Sequence, residues 1–122
     1  MRIISSSKGI LVVEDDLDIF EIIRIYLNSE GFNVFHSLDS SQALEHLNNE
    51  DIHLVLLDLQ LPKTCGFDIC KLIRETFEVP IIFLSGKTEC DIVMKGLELG
   101  ANDYMFKPFI PNELVAKVRS FI

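Results

Sequence analysis

Several apolar runs in this sequence end in residues that together could handle a phosphoryl group. Val12-Val13 runs out into Glu14-Asp15-Asp16, and Leu56-Leu57 runs out into Asp58. Phe83-Leu84 is followed by Ser85, and Phe106 by Lys107. Glu14, Asp15 and Asp58, brought within a few ångströms, would repel one another unless a proton or a cation sat among them. Oxygen-only donors select Mg²⁺ or Mn²⁺ over Zn²⁺. A hydroxyl and an ammonium beside such an ion complete the parts for phosphoryl transfer, in which positioning and charge neutralisation supply nearly all the catalysis. Asp58 is the candidate nucleophile, giving an aspartyl phosphate.

Each residue also has a plainer explanation. Acids in the first turn of a helix complement its dipole, and Asp16 and Asp18 are assigned that role. Asp58 could mark where the chain leaves an apolar strand, and a lone Lys107 could be a surface charge. Ser85 lacks the Gly-x-Ser-x-Gly elbow of a serine nucleophile. His36, His46 and His53 share no spacing, which suits satisfied or solvated side chains better than a general base or ligands. Cys65, Cys70 and Cys90 form no CxxC pair. They read as small, partly buried hydrophobes of a reduced, cytoplasmic protein. What favours chemistry is the meeting of acids from two strands, and that depends on the fold.

The chain has 122 residues, of which 48% are hydrophobic and 25% charged, with 6 Gly and 4 Pro. This is the composition of one globular domain. Its net charge of −8 argues against gripping nucleic acid or an anionic membrane unaided. No apolar run approaches membrane-spanning length, and the amino terminus is too weakly apolar for a signal peptide.

From Gly9 onward, short apolar runs alternate with helical patterns, making five βα units. The strands are expected at Ile10 to Val13, Asn33 to His36, His53 to Leu57, Ile81 to Leu84 and Asp103 to Phe106. The first helix should run from about Asp18 to Asn28, with Leu17, Phe20, Ile23 and Leu27 near one face and Gly31 as its stop. The second, opened by Ser40 or Ser41, should bury Ala43, Leu44 and Leu47. A third covers Phe67 to Thr76, ending ahead of Val79-Pro80. Thr88 with Asp91 suggests a capping box for the fourth, which stops at Gly100. Pro111 suits the first turn of the fifth, Asn112 to Phe121.

Strands 1, 3 and 4 are continuously apolar, as parallel strands covered on both faces should be. Strands 2 and 5 are mixed and suit the edges. With right-handed crossovers this predicts a single doubly wound α/β sheet of order 2-1-3-4-5, the flavodoxin-like arrangement. Ligands of such sheets bind beyond the carboxyl ends of strands 1 and 3, where both chains end here in acid.

From Lys8 to Ile122 these residues resemble the receiver domain of bacterial two-component response regulators. The resemblance rests on Glu14-Asp15, on Asp58 followed by Leu61-Pro62 and Gly66, and on Ser85-Gly86. Gly100-Ala101-Asn102-Asp103-Tyr104 and Lys107-Pro108-Phe109 complete the set. It implies that Asp58 accepts a phosphoryl group from a phosphohistidine of a sensor histidine kinase. Asp15, Asp58 and the backbone carbonyl of Gln60 would hold Mg²⁺, with Glu14 acting through water. Lys107 would pair with one phosphoryl oxygen and Ser85 with another. Tyr104 would turn inward as Ser85 moves, altering the surface of helix 4, strand 5 and helix 5. Gln60 and Lys87 would tune dephosphorylation, and Lys107-Pro108 should be a cis peptide. Glu14 and Ser85 stand where the family more often has Asp and Thr, with the chemistry kept.

The resemblance further implies a switch that promotes only its own phosphorylation and dephosphorylation and is otherwise no enzyme. Glu113 to Arg119 is similar to the subfamily with a carboxyl-terminal winged-helix DNA-binding domain. An output domain controlling transcription is accordingly expected beyond residue 122, with this segment itself touching neither nucleic acid nor membrane. A homodimer through helix 4, strand 5 and helix 5 could use Lys95, Asp103, Glu113 and Lys117. The alternatives are a stand-alone receiver acting through protein contacts, a flavin-binding electron carrier on the same fold and a metal-dependent hydrolase. The acids after strand 1 would repel a flavin phosphate, and the hydrolase would usually carry Asp where Gln60 stands.

Overall fold

The computed structural model describes residues 8–86 and 90–122. In chain order the elements are β1 (Gly9–Val13), α1 (Leu17–Ser29), β2 (Asn33–Ser37), α2 (Ser40–Asn49) and β3 (Ile52–Asp58). They continue as α3 (Gly66–Arg74), β4 (Ile81–Ser85), α4 (Cys90–Glu98), β5 (Asp103–Phe106) and α5 (Pro111–Phe121). The strands form one parallel sheet in the order β2-β1-β3-β4-β5, as expected.

Side chains alternate across a strand, so each apolar strand feeds two cores. Ile10, Val12, Leu54, Leu56, Ile82 and Leu84 face α1 and α5, where Phe20, Ile23, Leu27, Leu114 and Val118 close over them. Leu11, Val13, Val55, Leu57, Ile81 and Phe83 meet Ala43 and Leu47 of α2 and Ile69, Cys70 and Ile73 of α3. Ile92 and Val93 of α4 pack against the same side. Each buried Val, Leu, Ile or Phe among them contributes about 1.5–3 kcal/mol by leaving water.

Several local expectations need correction. Leu17 is 63% exposed. Two three-residue steps back from Ile23 carry it about 120° round the helix, past the edge of the buried stripe. Leu44 is only partly buried at the margin of its core. Asp16 is the N-cap of α1, its Oδ1 accepting from the N–H groups of Asp18 at 3.0 Å and Ile19 at 3.2 Å. α2 is capped by Asp39, which accepts from Gln42 N at 2.9 Å, while Gln42 Oε1 accepts from Leu38 N at 2.8 Å. This pair of bonds, a variant of the capping box, leaves the two serines in the first turn. The Thr88 cap of α4 lies outside the described residues.

α3 starts at Gly66 and stops at Arg74, short of Thr76. The Arg74 guanidinium donates to Gly100 O at 3.0 Å, Val79 O at 2.7 Å, Phe77 O at 3.2 Å and Asn102 Oδ1 at 3.0 Å. One planar fork thus ties the end of α3 to the approach to β4 and to the loop entering β5. Cys70 is buried, but Cys65 is exposed as the residue preceding α3, not the partly buried hydrophobe expected. Among the described residues no helix is long and apolar enough to cross a membrane.

Candidate functional site

The carboxyl ends of β1 and β3 are adjacent because Val13 pairs with Leu57 in the parallel register. The next residue on each strand is therefore an acid beside an acid. Glu14 is fully buried, Asp58 is 2% exposed and Asp15 opens to solvent. One carboxylate oxygen from each lies within 4.8 Å of the others. Three converging carboxylates with hard oxygen donors fit a divalent cation of the Mg²⁺ type.

β4 and β5 bring the remaining groups. Asp58 pairs with Leu84, which leaves Ser85 one position further along, buried at the strand end. The Lys107 N–H donates to Ser85 O at 2.8 Å, and the Lys107-Pro108 peptide is cis, as expected. The ammonium reaches back over the rim. Its Nζ lies 2.7 Å from Glu14 Oε1 and 3.4 Å from Asp58 Oδ2. Asp58 Oδ1 accepts from Gln60 N at 3.0 Å, so its two oxygens are held from different sides. The Gln60 side chain is exposed. Lys87 lies outside the described residues.

Burial raises the Glu14 carboxyl, and the neighbouring Asp58 carboxyl adds to this against the pull of Lys107, leaving its pKa at about 7. For Lys107 burial works downward, but its hydrogen bonds and charge contacts with Glu14 and Asp58 outweigh it and hold the ammonium above its ordinary value. A cluster so poised responds to a change of charge in the crevice.

The backbone of Glu14 is held from β2. Its N–H donates to Ser37 O at 3.2 Å, and its carbonyl lies 2.6 Å from His36 Nε2. The imidazole stacks on Phe20 with ring centroids 3.8 Å apart and planes 11° from parallel. His46 in turn bonds His36 O at 3.1 Å, and His53 bonds Asp51 at 3.2 Å. All three histidines are satisfied, in line with the expectation. That one of them touches the acidic strand tip is not visible from spacing, because it follows from β2 lying alongside β1.

Tyr104 is 7% exposed and lies 5.7 Å from both the Phe83 and Phe106 rings. Its hydroxyl is buried with no hydrogen-bond partner among the described residues, and burial raises its pKa. The ring is turned inward. Of the charges expected at a dimer face, Lys117 bonds Asp103 within the protomer at 3.0 Å, and the Lys95 ammonium lies 5.4 Å from the Phe67 ring centroid.

Residues 10–119 match the response regulator receiver domain family. The chain is 48% identical over 113 residues to the DNA-binding response regulator MtrA of Mycolicibacterium smegmatis, covering 93% of this chain and 50% of that protein. It is 43% identical over 115 residues to the regulatory protein VanR of Enterococcus faecium, covering 93% and 49%. Among solved structures, the receiver domain of the TMAO respiratory response regulator TorR superposes with a TM-score of 0.87 at 32% identity, covering 93% of this chain and 94% of that one. The BeF3-activated DrrB receiver domain gives 0.85 at 36% identity, covering 95% and 97%. The chain spans about half the length of the curated relatives it matches.

Proposed function

The chain belongs to the response regulator receiver domain family, and on that premise we propose that it is a phosphorylation-activated switch with Asp58 as the acceptor. The observation that carries the reading is the convergence of Glu14, Asp15 and Asp58 with the Lys107 ammonium at one crevice. An Asp58 carboxylate oxygen attacks the phosphorus of a phosphohistidine on a sensor kinase. The P–N bond breaks, the imidazole leaves, and an aspartyl phosphate remains. Asp15, Asp58 and the Gln60 carbonyl would hold Mg²⁺, with Mn²⁺ as a substitute and Glu14 acting through water. The bound ion neutralises charge on the carboxylates and the incoming phosphoryl group. Lys107 exchanges its contact with Asp58 for one with a phosphoryl oxygen, and Ser85 donates to another. Tyr104, packed inside, carries the change to the face of α4, β5 and α5. Gln60 and Lys87 tune the attack of water on the acyl phosphate. The domain turns over no other substrate.

The output belongs to the longer protein. MtrA is named a DNA-binding response regulator, and this chain spans about half of it, which supports transcription as the controlled process. Pairing of two receivers through α4, β5 and α5 would then require the Lys117 to Asp103 bond to rearrange or be shared. Unchanged sedimentation at high concentration with beryllofluoride and Mg²⁺ would remove the dimer.

The test of the acceptor is incubation with acetyl phosphate and Mg²⁺ followed by mapping of the added mass. It should sit on Asp58 and vanish in Asp58→Asn. Labelling that persists undiminished in that variant rejects the assignment.

A further inference from the structure

We propose that His36 is a positioning residue for the acidic pair: from the neighbouring strand it holds the peptide joining Glu14 to Asp15, and so sets where the Asp15 carboxylate meets a divalent cation. This rests on the metal-dependent reading of the site.

The Glu14 carbonyl belongs to the peptide from which Asp15 departs. Its oxygen lies 2.6 Å from His36 Nε2, and a carbonyl only accepts, so Nε2 carries the proton. The ladder between β1 and β2 pairs Val12 with His36 and Val13 with Ser37, and β2 ends there. The Glu14 N–H still finds Ser37 O, while the imidazole takes the carbonyl. One contact orients the donor ring and another holds the backbone that carries it. The ring stacks on Phe20 of α1, and the His36 carbonyl is bonded by His46. The side chain of Glu14 is held as well, by Lys107 at Oε1 and by Asp16 N at Oε2, 3.4 Å away. With both ends of Glu14 fixed, the exposed Asp15 inherits its direction from a peptide plane that His36 anchors. Groups that hold metal ligands from behind typically matter about 10- to 100-fold in affinity.

Two substitutions separate this role from packing. His36→Phe keeps a flat ring on Phe20 and removes the donor. His36→Gln removes the ring and keeps an amide N–H at similar reach. Mg²⁺ affinity is measured by calorimetry, and the thermal midpoint of the same proteins is measured without Mg²⁺. The dissociation constant should rise about tenfold in H36F. In H36Q it should stay within about threefold of the parent, even if that variant melts lower. Parent-like affinity in H36F, or affinity lost in step with the midpoint in both variants, overturns the proposal and leaves the ring as packing. Should H36F not fold, H36Q alone decides, a loss beyond about threefold overturning it. If the parent protein itself binds no Mg²⁺ at millimolar concentration, the metal reading fails, an outcome distinct from a parent that binds and variants that do not discriminate.

Discussion

The Lys107 ammonium is closer to Glu14, at 2.7 Å, than to the phosphoryl-accepting candidate Asp58, at 3.4 Å. The shorter bond goes to the fully buried acid, where low polarity strengthens charge pairing and makes an unpaired charge most costly. Were the contact with Asp58 exchanged for a phosphoryl oxygen, as proposed, Lys107 would still keep Glu14 as a partner.

Glu14 should give the metal-free domain a distinctive pH profile. Its pKa rises from 4.5 to about 7 on folding, so between those values the folded protein holds a proton that the unfolded chain has lost. The associated stability is full below about pH 4.5 and disappears as pH rises through about 7. Urea unfolding without divalent cations should show this decline, on the order of 1–3 kcal/mol, and Glu14→Gln should flatten it. Added Mg²⁺ should stabilise more as pH rises, since its ligands must be deprotonated.

Asp58→Asn should make the metal-free protein more stable by about 1 kcal/mol. It removes one of three crowded carboxylates, while Lys107 retains its shorter bond to Glu14. The same substitution should abolish the rise in melting temperature that Mg²⁺ gives the parent protein. Thermal melts with and without Mg²⁺ check both statements.

Gly66 allows α3 to approach the acceptor strand. A Cβ there would lie 2.5 Å from Asp58 O and 2.8 Å from Leu59 Cα, and neither backbone atom can yield cheaply. Gly66→Ala should cost about 1–3 kcal/mol and slow labelling by acetyl phosphate, because the displaced atoms carry Asp58. A Cβ on Gly86 meets nothing within 4 Å, so Gly86→Ala should change stability by less than about 0.5 kcal/mol. Denaturant midpoints of the two variants supply the contrast.

Tyr104→Phe should raise stability by about 1 kcal/mol. The Tyr104 hydroxyl is buried with no partner among the described residues, and removing such a group recovers its desolvation cost while the ring contacts with Phe83 and Phe106 remain. Chemical denaturation of the variant without Mg²⁺ tests this. A loss of stability would mean that the hydroxyl is bonded in solution.

The sheet was legible in the chain because burial imprints a repeat on residue types. Ile10 to Val13, Leu54 to Leu57 and Ile81 to Leu84 are apolar at every position since both faces are covered, whereas Asn33 to His36 is mixed because it lies at an edge. Helix starts were less legible. Asp39 and the two serines after it are all good caps, and the bonds from Gln42 N to Asp39 and from Leu38 N to Gln42 choose among them.

Residue types alone place acids at the close of β1 and β3 and a hydroxyl and a lysine at the close of β4 and β5, and the alternation of strands and helices gathers them at one sheet end. Strand order follows from apolar patterning, and chemistry follows from residue type. Packing in three dimensions was needed to make Glu14 fully buried and Asp15 exposed, to turn Lys107 toward Glu14 and Tyr104 inward, and to bring His36 onto the Glu14 carbonyl. Those outcomes depend on register and on which neighbours exclude water. Register is set by the pairing of β1 with β2 and β3, and the surroundings of Glu14 by His36 of β2 and by Lys107 just after β5; these are sums over residues far apart in the chain that leave no periodic trace in it.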